Sequence, residues 1–215
     1  MSVLVDRHST VLMQFAKWPK QGRVKTRLMP ALGVAGALDA HIRLTLAVLD
    51  NLYTTGYPVQ FWWDREPDEA SEEADIILRN LEATNLAQKT QQGANLGDRM
   101  LNALASSLEE HGRAIIVGSD CPSVDPQYIR EAVQHLSEAD VVLGPSEDGG
   151  YVLIGARRVL PGMLAGVEWG TESVLEQTCS RLKKLGLRVQ LLEPRWDVDE
   201  PEDWERFTRL PPVEL

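Results

Sequence analysis

Cysteine is nearly absent: Cys121 and Cys179 are the two in 215 residues. That excludes a disulfide framework and a cysteine-built zinc site, and leaves reduced thiols as the plain reading. Long apolar runs are missing as well. No stretch approaches the ~20 apolar residues that a membrane span requires, so a soluble protein without a membrane partner is expected. Asp6, Arg7 and His8 precede any apolar run, so the charged start and apolar middle of a signal peptide are both lacking and a cytoplasmic location is expected. Positive charge is scarce too: 22 Lys and Arg face 32 Asp and Glu, a net charge of −10. This argues against nucleic acid as the main partner, because a phosphate backbone needs a basic face. Repeats, linkers and low-complexity segments are also lacking, and weak order is expected only at residues 1–9 and 210–215.

What is present is an ordinary globular composition, 43% hydrophobic and 25% charged. The length suits one α/β domain over residues 1–215 with one active site. Val11 to Ala16 reads as a short buried strand, followed by a loop from Lys17 to Pro30. Ala35, Leu38, Ile42, Leu46, Leu49 and Tyr53 then recur at spacings of three and four, the pattern of an amphipathic helix ending near Gly56. Val59 to Trp63 is a second strand, and Ile76, Ile77 and Leu81 mark a second helix. The polar segment 88–97 separates that helix from one bearing Leu96, Met100, Leu104 and Leu108.

Ala114 to Val117 is apolar on both faces, as a central strand of a covered parallel sheet must be. Asp125 and Pro126 read as the N-cap and first residue of the next helix. Val141 to Leu143 and Tyr151 to Ile154 flank the turn 145–150. A helix from Thr171 to Leu185 closed by Gly186, a strand from Arg188 to Leu192 and a short helix from Pro201 to Phe207 complete the chain. Alternating strands and helices predict a mostly parallel sheet with helices on both faces. Ligands sit at the carboxyl ends of such strands, so the loops after residues 16, 117 and 143 are expected to share one edge.

Three segments could carry chemistry. Lys17, Lys20, Arg23, Lys25 and Arg27 concentrate cations behind the first strand of an acidic chain. A basic loop leading into a helix can neutralise a di- or triphosphate, and Arg23 and Lys25 are the first choices; a solvated surface loop is the plainer alternative. Asp120 lies just past the most hydrophobic strand, where a carboxylate can reach Mg2+ or Mn2+, or merely cap a turn. Trp196 to Trp204 holds five carboxylates in nine residues; Asp199 is favoured over Asp197 as a metal ligand, although Asp199 with Glu202 also has capping-box spacing.

Glu147 and Asp148 precede Gly149, Gly150 and Tyr151. They could hold an acceptor hydroxyl, act as general base or touch a metal, whereas the glycines alone could mean a turn. Trp169 could line an acceptor pocket or sit in the core, with Thr171 as an N-cap.

Taken in order, Phe15 to Leu28, Gly118-Ser-Asp-Cys-Pro122, Gly144 to Gly155, Trp169-Gly-Thr171 and Asp197 to Asp203 form a set that resembles a bacterial GT-A-like glycosyltransferase family. That family is associated with radical-SAM/selenodomain proteins and arsenosugar biosynthesis, within the nucleotide-diphospho-sugar transferase superfamily. The resemblance implies a single Rossmann-like GT-A domain, a nucleotide substrate and a divalent metal. It places the phosphate loop on Lys17, Gly22, Arg23, Lys25 and Arg27, the metal-site carboxylate on Asp120 and the late acidic motif on Asp197 and Asp199. The chain departs from related nucleotidyltransferases, which carry a glycine-rich loop where Lys17, Trp18 and Pro19 stand. It departs also from the Asp-x-Asp of GT-A glycosyltransferases, since Ser119-Asp120-Cys121 supplies one carboxylate.

The expected activity is therefore glycosyl transfer from a nucleotide sugar to a small-molecule acceptor. Asp120 and Asp199 would hold Mg2+ or Mn2+, Glu147 or Asp148 would assist the acceptor, and Gly149, Tyr151 and Trp169 would line its pocket. The competing readings are nucleotidyl transfer from a nucleoside triphosphate with release of pyrophosphate, and nucleotide binding without turnover.

Overall fold

A computed structural model describes residues 6–67 and 72–209. Among these residues one sheet of seven strands is formed: β1 (Asp6–Ala16), β2 (Val59–Trp63), β3 (Ala87–Thr90), β4 (His111–Gly118), β5 (Val141–Pro145), β6 (Tyr151–Ala156) and β7 (Val189–Leu191). Their order is β3-β2-β1-β4-β6-β5-β7. Neighbours are parallel except β6, which runs antiparallel to both β4 and β5. The helices are α1 (Met29–Thr54), α2 (Asp75–Ala83), α3 (Leu96–Ser107), α4 (Pro126–His135), α5 (Val174–Lys184) and α6 (Pro201–Thr208).

Side chains alternate across β1 with a period of two. Leu12 and Ala16 enter one core with α1, α2 and α4, whereas Val11, Met13 and Phe15 enter a second with α3 and α5. Both faces of β1 and β4 are apolar because both are covered. A third cluster packs α6 on the far side of α1, joining Leu28, Ala40 and Leu44 to Trp196, Val198 and Trp204. The chain crosses from the β2 flank of β1 to β4 on its other side, so the strand order reverses between β1 and β4. A crevice is expected outside their carboxyl ends, and the ends of β1, β4 and β5 do open on one edge.

Several sequence expectations are corrected. β1 starts at Asp6, five residues early, so order extends into the segment 1–9; residues 1–5 and 210–215 lie outside the described residues. Ala87–Thr90, read as part of a separating loop, is an edge strand paired with β2. It lacks apolar alternation because its residues are exposed or half-buried. The basic loop is shorter than expected: Thr26–Leu28 form a 3-10 turn and α1 begins at Met29. Pro30 sits in its first turn, where the missing N–H costs nothing. Gly33, with φ 71° and ψ 172°, then kinks α1, a conformation at which a Cβ is strained.

The span Thr26–Thr54 is long and apolar enough to cross a membrane by length and composition, contrary to the expectation from apolar runs. Its apolar stripe instead packs against the sheet, with Val48 and Leu52 fully buried, while Leu44 is buried under α6. Thr171 is not an N-cap, since α5 starts at Val174 and the Thr171 hydroxyl bonds the Glu168 carbonyl at 2.8 Å. The capping box of α6 is one residue later than its spacing suggested. The Asp203 carboxylate accepts from the N–H groups of Glu200 (2.9 Å) and Asp199 (3.2 Å), which leaves the Asp199 side chain free for other partners.

Candidate active site

Asp120 follows β4 in a turn tied down by Ser119 N–H donating to the Phe15 carbonyl at 2.9 Å. Gly118 permits the fold-back: a Cβ there would lie 2.9 Å from Asp120 Oδ1. The segment 195–199 is laced to this turn, with Val198 N–H donating to the Asp120 carbonyl at 2.9 Å and Trp196 N–H to the Ser123 hydroxyl at 3.1 Å. Val198 is fully buried in the α1/α6 cluster, so the residues on either side of it face the opposite way. Asp197 and Asp199 thereby meet Asp120, and one oxygen from each lies within 4.8 Å of the others.

Lys25 enters this group from the loop after β1. Its Nζ donates to Asp120 Oδ2 at 2.9 Å, to Asp199 Oδ1 at 3.1 Å and to the Val198 carbonyl at 2.6 Å. The lysine side chain is 7% exposed, against 36% for Asp120 and 44% for Asp199. Burial alone would discharge the ammonium, but the carboxylates of Asp120 and Asp199 outweigh it and raise the lysine's pKa. Burial likewise opposes ionisation of Asp120, yet Lys25 holds that carboxyl down at about 2.

The buried His41 of α1 is pushed down to about 4 by burial, with Lys25 adding to the effect. It is neutral, and its Nε2–H donates to the Lys17 carbonyl at 3.0 Å, fixing the start of the basic loop. Trp18 N–H donates to Asp64 at 2.6 Å from the end of β2.

Asp197 has no ion pair among the described residues. Burial, then the carboxylates of Asp120, Asp199 and Asp148, push it up to about 7 from an ordinary 3.8. Between these two values the native chain keeps a proton that the unfolded chain has lost, so stability falls as pH rises from 3.8 towards 7 and stays lowered above it. The ceiling on this penalty is about 4 kcal/mol, reduced where water screens the group. Asp197→Asn is therefore expected to raise Tm at pH 8 by several degrees in chelator and to leave it nearly unchanged at pH 4. Equal shifts at both pH values, or a fall at pH 8, would contradict this.

The three aspartates form one wall of a cavity of about 940 Å3. Arg27, Glu147, Asp148, Gly149, Tyr151 and Trp169 also line it. The structure thus brings together every catalytic, metal and acceptor residue expected from the sequence. Of the basic loop it brings Arg27 into the lining and Lys25 onto Asp120 and Asp199, whereas Lys17, Gly22 and Arg23 are exposed and outside the lining.

Arg27 Nη1 sits 3.3 Å from Glu200 and 3.6 Å from Asp199. Glu147 is paired with Arg206 of α6 at 3.0 Å. Asp148 accepts from the Ser146 hydroxyl and, at 3.1 Å, from Gly150 N–H. Tyr151 is in the lining, and its hydroxyl is buried.

Sequence reasoning did not single out Glu172, also in the lining, or Arg206. Glu172 directly follows the Trp-Gly-Thr motif and carried no signal of its own; Arg206 falls four residues from Glu202 and reads as an ordinary helix cation. Gly149 is fixed by this neighbourhood. At φ +89° a Cβ would lie 2.2 Å from the Glu172 carbonyl oxygen. Gly149→Ala is expected to cost at least about 2 kcal/mol, measured by denaturant unfolding; a cost under about 0.5 kcal/mol would contradict the packing.

No curated protein sequence matches the chain. Among solved structures, a candidate nucleotide-diphospho-sugar transferase from Desulfovibrio desulfuricans G20 superposes with a TM-score of 0.82 at 27% identity, over 93% of this chain and 86% of that one. At lower identity the fold alone is shared. 4-Diphosphocytidyl-2C-methyl-D-erythritol synthase from Anaerococcus prevotii DSM 20548 has a TM-score of 0.60 at 11% identity, covering 95% and 98% of the two chains. The inositol-1-phosphate CTP transferase from T. maritima has 0.54 at 12%, covering 91% of each. The architecture is therefore the α/β domain of nucleotide-diphospho-sugar transferases and cytidylyltransferases. A family model described as "uncharacterized protein conserved in bacteria" (DUF2064) matches residues 48–171, more than half of the sequence, and the chain belongs to that family.

Proposed function

We propose that this chain transfers a glycosyl group from a nucleotide sugar to a small-molecule acceptor, with Mg2+ or Mn2+ held by Asp120, Asp197 and Asp199. The observation that carries the reading is the convergence of these three carboxylates, at the point where strand order reverses, on the wall of a substrate-sized cavity. Their oxygens suit a hard cation, which prefers carboxylate and phosphate donors. Such a cation would neutralise the charge developing on the leaving diphosphate. The superposition on a candidate nucleotide-diphospho-sugar transferase supports the same donor class.

In this reading Arg27 faces the donor's phosphates from the cavity lining, and Lys17, Gly22 and Arg23, outside that lining, would meet only a part of the donor that extends beyond it. Lys25 balances the carboxylates and sets their spacing. Asp148 is better placed than Glu147 to take the acceptor's proton, because Glu147 is committed to Arg206; Gly149, Tyr151 and Trp169 wall the acceptor. Membership of the radical-SAM-associated, arsenosugar-type group rests on the five ordered motifs.

A thermal-shift panel of sugar nucleotides and nucleoside triphosphates, each with and without Mg2+ or Mn2+, tests the proposal. A ligand at a hundred times its Kd stabilises by about 2.7 kcal/mol. The expected result is a metal-dependent shift with a sugar nucleotide. A shift with a triphosphate alone favours nucleotidyl transfer, and no metal-dependent shift with any of them overturns the metal site.

A further inference from the structure

We infer that the acceptor is an uncharged or cationic hydroxylated molecule with an apolar ring face, seated on Trp169, and not a phosphate ester. The inference rests on the transferase reading above and names the substrate class of the same cavity.

The cavity lining is of two kinds. Asp120, Glu147, Asp148, Glu172, Asp197 and Asp199 are its acidic part, and Arg27 is the single cation among the described lining residues. Lys25 pairs with Asp120 and Asp199, a bound divalent cation would answer the remaining charge of the three aspartates, and Arg206 answers Glu147. Asp148 and Glu172 have no cation among their described ion pairs. A phosphate ester would bring nearly two further negative charges beside them.

Phosphate subsites are made from Arg, Lys or the open amides of a helix N-terminus. Arg27, beside Asp199 and Glu200, is assigned to the donor's phosphates in that reading and leaves no second lining cation for an acceptor phosphate. The start of α5 reaches the cavity at Val174, but the N–H groups of Val174 and Leu175 donate to the carbonyls of Thr171 (3.3 Å) and Gly149 (2.9 Å). The acceptor wall therefore offers carboxylates, which accept hydrogen bonds from hydroxyl or ammonium groups.

The rest of the lining is largely apolar, with Phe15, Leu96, Met100, Ile116, Ile154 and Trp169. Trp169 is half-buried and held from two sides. The Tyr151 ring meets it edge-on at 6.2 Å and 81°, and Gly97 presses on its rim, where a Cβ would fall 2.8 Å from Cζ2. An indole fixed this way is a preformed platform for the C–H face of a sugar or other ring, at little entropic cost.

Saturation-transfer NMR titrations of the full chain with phenyl β-D-glucopyranoside and phenyl phosphate, which share a ring and differ in charge, test the inference. The glucoside should bind saturably and at least about tenfold more tightly than phenyl phosphate. Trp169→Ala should remove that binding while Trp169→Phe, which keeps an aromatic face, retains most of it. Asp148→Asn with Glu172→Gln should narrow the preference. Tighter or equal binding of phenyl phosphate, saturable binding of neither probe, or indifference to Trp169→Ala overturns the inference. Neither probe carries a nucleotide, so failure of the thermal-shift panel would retire the donor reading without touching this result, and the converse holds.

Discussion

Asp120→Asn is expected to leave a folded chain whose metal-dependent transfer falls at least about a hundredfold. Asp120 is the carboxylate most firmly held at the site: Lys25 keeps it ionised, and its backbone is braced through Ser119 N–H to the Phe15 carbonyl and through Val198 N–H to its own carbonyl. An amide preserves its shape and the backbone bonds, so the loss is one of charge. Tm without metal should change by only a few degrees, while the metal-dependent shift with a sugar nucleotide disappears. Retained activity would mean that Asp197 and Asp199 suffice; collapse of the fold would mean that Asp120 is chiefly a structural partner of Lys25.

Lys25→Met should show the opposite pattern, a large loss of stability that added metal partly restores. The substitution keeps an unbranched side chain, one atom shorter, and leaves the left-handed backbone at φ 45° as it is. It removes the single ammonium that separates Asp120 from Asp199 and also satisfies the Val198 carbonyl. Breaking a buried ion pair from one side costs about 3–5 kcal/mol. The two carboxylates are more than a third exposed, so water screens them and a loss of about 2 kcal/mol is expected. A divalent cation that takes over the balancing role should recover part of it, measured as Tm with and without Mn2+. An unchanged Tm in metal-free buffer would show that the ion-pair network is not structural.

The fold was legible where burial is two-sided or helix periodicity is strong. Ala114 to Val117 announced a central strand, and the three-four spacing from Leu38 to Leu49 announced α1. β3 was not legible, because Ala87–Thr90 gains its strand character from pairing with β2 and not from an apolar pattern. The start of α1 was hidden by Pro30, which punctuates a loop and opens a helix equally well.

At the site, Asp120 could be singled out because it lies just past Ala114 to Val117, a strand apolar on both faces. The joint roles of Asp197 and Asp199 could not be separated, since capping-box spacing fits more than one register of that acidic run. The buried Val198 turns both carboxylates to the same side, beside Asp120. Lys25 was found as a cation, but its burial between carboxylates 95 and 174 positions away is a tertiary fact.

The most direct test of the central claim is the product released when the purified chain is incubated with Mn2+, a sugar nucleotide that binds in the thermal-shift panel, and a neutral hydroxylated acceptor. The account predicts a nucleoside diphosphate, formed only with metal present and lost in Asp120→Asn. Pyrophosphate formed from a nucleoside triphosphate, with the sugar nucleotide left intact, would contradict it and make the chain a nucleotidyltransferase.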